Sequence, residues 1–183
     1  KEIAGIKFRI PKYDLTIEDE DHNKVIDLLK VVNQTFKDNY GIFRVHPEIP
    51  SLVDKITYRK KGDFIYPSDW NSILDILKKW SEEIDAWNIS KFKKLNYKSK
   101  LLLLPDVNYG SPIYSSHYLT RLEALEILYD IVSHPPPVLC PKYITEECWE
   151  FLSDIELNMF ATENTKPDIT FLLDVDVKKG VKS

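Results

Sequence analysis

The sequence predicts a mainly α fold: an irregular helical bundle of about four main helices with one or two short strands or a hairpin. Three observations carry that expectation. Apolar residues recur at helical spacing in four separate segments, and alternation with a period of two is confined to short stretches. The chain also has 183 residues, 43% of them hydrophobic and 30% charged, which suits an ordinary globular core and neither a disordered nor a membrane-embedded chain. It reads as a single domain or an ordered fragment of a longer protein, with an internal division near 88–112. The start at Lys1 without Met, and the single Met159, favour a piece of something longer.

The elements follow in order. Ile6, Phe8 and Ile10 alternate with Lys7 and Arg9, which predicts a short half-buried strand ended by Pro11. Thr16 stands three residues before Asp19 in capping-box spacing, and Val25, Leu28, Leu29, Val32 and Phe36 then mark a helix over 20–37, stopped by Gly41. The stretch His46-Pro47-Glu48-Ile49-Pro50 predicts a loop. Apolar residues on either side of Arg59-Lys60-Lys61-Gly62-Asp63 suggest a hairpin over 56–66.

The clearest helix covers 69–87, with Trp70, Ile73, Leu77, Trp80, Ile84 and Trp87 on one stripe and Glu82 and Glu83 off it. The lysine-rich stretch 88–100 predicts a linker or docking loop. Leu101 to Leu104 fits either a helix end or a short buried strand. Leu119, Leu122, Leu125, Leu128, Ile131 and Val132 predict a helix over 116–133, with Thr120 and Glu123 as an alternative capping box and Pro135-Pro136-Pro137 as the stop. A further helix over 145–161, opened by Glu146 and Glu147, places Trp149, Leu152, Ile155 and Phe160 on its buried side. Alternation from Ile169 to Val177 predicts a strand-like tail.

Several chemistries are excluded or disfavoured. Five glycines, none closely spaced, leave neither a dinucleotide fingerprint nor a P-loop. A net charge of −4 gives no overall field for a polyanion. Cys140 and Cys148 are too few for a disulfide scaffold and, with His134, lack both the spacing and the fourth ligand of a zinc site. No metal or other cofactor is therefore expected. No apolar run is long enough to span a membrane, so no membrane partner is expected either. The tripeptides Asn33-Gln34-Thr35 and Asn88-Ile89-Ser90 match a glycosylation acceptor, yet the thiol content favours an intracellular setting.

Three constellations remain. Asp174 and Asp176 at the end of an apolar run are placed to hold a divalent ion, which supports an alternative as a metal-dependent transferase. Lys91, Lys93, Lys94, Lys98 and Lys100, interleaved with Phe92 and Tyr97, are candidate nucleic-acid contacts; a solvated connector is the plainer alternative. Tyr109, Tyr114 and Tyr118 around Gly110-Ser111-Pro112 are the preferred partner-binding anchors, because tyrosine in excess of what a core needs favours an interface over chemistry.

The segment from His117 to Val132 resembles the leucine- and glutamate-rich helix of chromatin-remodeller accessory subunits that carry DDT and WHIM modules, and is similar to an armadillo-type helix. The likeness covers one helix, implies no site residue, and tilts the expected location from cytoplasm towards nucleus. The leading expectation is a protein-interaction or scaffold module of a larger intracellular protein without catalysis of its own. A nucleic-acid-contacting accessory domain of a nuclear chromatin or transcription complex is the alternative.

Overall fold

A computed structural model describes residues 1–10 and 17–135. Five helices and one two-stranded antiparallel sheet make the described part mainly helical. Its core belongs to one compact unit, Lys1–Trp87 with Lys94–Pro136, while Asn88–Lys93 fall in a second.

The chain opens on a tight hairpin, β1 (Glu2–Ile3) and β2 (Ile6–Lys7), with Ile3 opposite Ile6. Ala4 and Gly5 take φ of 53° and 81°, the left-handed pair that a two-residue hairpin turn requires. The strand expected to reach Ile10 therefore stops at Lys7; Phe8 is buried and Ile10 is exposed. Helix α1 (Asp19–Tyr40) starts where the Asp21 carboxylate accepts the Glu18 N–H at 2.8 Å. It ends on Gly41, whose φ of 92° is open to glycine and whose N–H donates to the Lys37 carbonyl.

Two expectations for the next segment are corrected. The proline-broken stretch holds a short helix, α2 (Ile49–Asp54), because Pro50 sits in the first turn, where its missing N–H costs nothing, and Ile49 and Val53 bury on one side. Residues 56–66 form no hairpin. Their backbone is satisfied by α1 instead: Asn23 accepts the Arg59 N–H at 2.9 Å and donates to its carbonyl at 2.8 Å. Only the turn survives, with the Asp63 N–H donating to Lys60 and Gly62 at φ 89°.

Helix α3 (Pro67–Asp85) carries Trp70 and Trp80 into the core, and Trp87 follows just past its end, also buried. Phe36, Tyr40 and Phe43 meet Trp80 and Trp87 in one aromatic cluster, with Phe36 edge-on to both indoles at 5.0 and 5.8 Å. The stretch expected as a linker forms helix α4 (Lys91–Leu102). Tyr97 and Leu101, four residues apart, are buried, and the Tyr97 hydroxyl donates to the Leu77 carbonyl at 2.7 Å. Leu101 and Leu102 close that helix, and Leu104 is buried beyond it.

Helix α5 (Ser115–Val132) starts well before Thr120, which lies inside it. Helix α1 packs on α5 and α2, and α2 on α3. Asn39 and Tyr40 donate to the carbonyls of Val132 and Ile131, tying the ends of α1 and α5. No helix among the described residues is long and apolar enough to cross a membrane. The expected helix over 145–161 and the tail over 169–177 lie outside the described residues.

Candidate functional site

Helices α1, α3 and α5 are entered by three loops that together line a cleft of about 780 Å³: Ile17 to Asp19, Lys61 to Ile65, and Ser111 to Ser115. Phe64 is 79% exposed there and Tyr114 58%, so two aromatic rings from different loops stand open to solvent beside Ile17, Ile65, Pro112 and Ile113. Exposed rings grouped in a concavity are the usual mark of a binding surface.

The charge of the cleft follows from how the three helices begin. The N-cap N–H of each is met by a side chain three residues on. Asp21 accepts from Glu18 at 2.8 Å, Asp69 from Tyr66 at 2.9 Å, and the His117 ring nitrogen takes the Tyr114 N–H at 3.4 Å. Asp21 and Asp69 are in turn each gripped by an arginine through both oxygens, Arg9 and Arg59 respectively. These carboxylate–guanidinium pairs are closed within the chain. Among the described residues lining the cleft, Glu18, Asp19 and Asp63 outnumber the one cation, Lys61, which gives this lining an acidic balance.

Beneath it lies a buried polar layer. Tyr118 is fully buried with its hydroxyl 3.5 Å from Asp21, and burial, then the Asp21 charge, pushes the phenol up to about 12. Arg121 is buried against the face of Trp70, 4.3 Å from the ring centre, and burial brings its guanidinium down to about 10. Its Nε and Nη2 have no hydrogen-bond partner. His22 is buried too, and burial lowers its pKa although it bonds the Thr57 carbonyl at 2.9 Å, so it is neutral at pH 7.

The residues singled out from sequence are not brought together. Tyr109 is 90% exposed, Tyr114 lines the cleft, and Tyr118 is fully buried in the core. Its ring occupies the buried stripe of α5, which begins one residue before the apolar set read from Leu119. Lys91, Lys93, Lys94, Lys98 and Lys100 share α4, yet Lys98 pairs with Asp85, Lys100 lies 3.5 Å from Glu123, and Lys94 donates to the Trp87 carbonyl. Among the described residues no group of three or more His, Cys, Asp or Glu is placed to hold a metal ion. His134 bonds the Asp130 carbonyl, and Cys140, Cys148, Asp174 and Asp176 lie outside the described residues.

Sequence reasoning missed Phe64, Glu18, Asp19 and Asp63. The available signal was an aromatic residue directly after the Lys60–Asp63 turn, which the hairpin reading took as part of a strand. Comparison with family models, curated proteins and solved structures finds no match to this chain.

Proposed function

We propose that this chain is a protein-interaction module and that the cleft between the three helix entrances is its working surface. The observation that carries this reading is the pair of exposed rings, Phe64 and Tyr114, held on separate loops over one acidic concavity. Two loops are tied to their surroundings, since Gly62 donates to Asp19 and Arg59 locks onto Asp69, and the third carries its own turn, where the Asn108 N–H donates to the Ser111 hydroxyl. The Tyr114 ring stands edge-on to His117 at 5.4 Å, and a ring held before a partner arrives loses little freedom on binding. The nucleic-acid alternative draws less support, since the α4 lysines include two set against carboxylates of the same chain.

The test is quantitative affinity purification with the wild type and with Phe64→Ser/Tyr114→Ser, followed by reconstitution with the purified partner. Both rings are exposed, so the variant is expected to keep the wild-type circular dichroism spectrum. A partner that binds the wild type stoichiometrically and the variant at least tenfold more weakly supports the reading. Equal binding of every partner to both proteins would remove it.

A further inference from the structure

Resting on that reading, we infer that the cleft takes an arginine-bearing, otherwise apolar segment of a partner protein. Three features select this occupant. The lining carries Glu18, Asp19 and Asp63 against Lys61, so a cation is favoured. Exposed Phe64 and Tyr114 offer ring faces, and a guanidinium stacks on such a face while still bonding a carboxylate with both arms, which an ammonium does not. Ile17, Ile65, Pro112 and Ile113 leave apolar wall for neighbouring side chains. An anionic segment is disfavoured by the same three carboxylates, which would repel it. Nothing is asked of the buried Arg121, which does not line the cleft.

The experiment is selection of a phage-displayed random 12-residue peptide library on the full chain, with clones then remade as synthetic peptides and titrated. Four proteins are compared: wild type, Phe64→Ser/Tyr114→Ser, Asp19→Asn/Asp63→Asn, and Glu18→Gln. The carboxamide variants keep the oxygen that accepts the Gly62 N–H at Asp19 and the Lys60 N–H at Asp63, so the loops hold their form. The expected result is clones enriched in arginine beside apolar residues. Their affinity should fall roughly fivefold or more in Asp19→Asn/Asp63→Asn, fall further in the ring variant, weaken as salt rises, and drop when arginine is replaced by lysine. Clones that need the rings but lack arginine, or that are acidic, would overturn this inference and leave the interaction reading standing. Clones indifferent to the rings would overturn both. Sedimentation of the chain alone is the control for a second copy as occupant: a dimer abolished by Phe64→Ser/Tyr114→Ser would overturn the inference.

Discussion

Glu83 shows how much one buried carboxylate can organise. It is fully buried on α3 and accepts the N–H groups of Arg44, Val45 and His46 together with the Trp87 indole. Burial opposes its charge, but the N–H groups of Arg44 and His46, the Trp87 indole and the Val45 N–H outweigh that penalty, and its pKa lies below the ordinary range. Glu83→Ala leaves those donors bare inside the fold and is expected to cost on the order of 3 to 5 kcal/mol, read by urea denaturation. A carboxylate with a depressed folded pKa stabilises above its unfolded pKa, near 4.5, and that contribution is lost as pH falls through the lowered folded value. The melting temperatures of wild type and Glu83→Gln should therefore converge from pH 7 towards pH 3. Arg121 is the opposite case, a buried cation stacked on Trp70 with two nitrogens lacking a partner. Arg121→Met is expected to leave the melting temperature unchanged or to raise it, since an apolar side chain of similar length avoids the desolvation of charge. A large loss of stability would show that the guanidinium is held by more than the Trp70 ring.

At the scale of elements, stripes of apolar residues located α1, α3 and α5 to within a few positions, because burial on a helix face imposes its own period. What they hid was polar. His22 and Val25, Glu83 and Trp87, and Tyr118, Arg121 and Leu122 all occupy stripe positions, yet a search for apolar letters passes over the histidine, the glutamate and the arginine. Helix α4 was illegible for a related reason: its lysines mask two buried residues, Tyr97 and Leu101, too few to set a period. Tyr97→Phe is expected to cost about 1 kcal/mol, since it removes a buried hydrogen bond to the Leu77 carbonyl, which keeps its own helical N–H. Trp80→Ala should cost about 3 to 5 kcal/mol through the cavity left against Phe36 and Phe43, an effect large enough to read from thermal melts. The loop before α2 adds a pH response. His46 sits between Glu82 and Glu48, and its hydrogen bond to Glu82 chiefly, helped by Glu48, raises its pKa. The stabilisation is present in full below the unfolded pKa of 6.5 and fades as pH rises through the higher folded value. Glu82→Gln should bring the His46 titration, followed by NMR, back towards 6.5.

For the molecule as a whole, the helical class follows from periodicity, whereas the cleft depends on which loops the fold assembles. Asp63 and Phe64 lie about fifty residues from Tyr114 along the chain, and no local pattern announces that they line one concavity. Tyr114 was singled out with Tyr109 and Tyr118 because tyrosine exceeds what a core needs; Phe64 was not, because an aromatic residue after a turn fits a strand equally well. A second set of apolar side chains, Leu95, Leu102 and Leu103, is also exposed and offers the strongest competing location for a partner. The two are separated by one measurement: titration of the isotopically labelled full chain with its purified partner, followed by amide chemical shifts. Shifts concentrated at 17–19, 61–65 and 111–115 are the predicted result. Shifts confined to 91–103, with the cleft silent, would contradict the assignment of the cleft as the working surface.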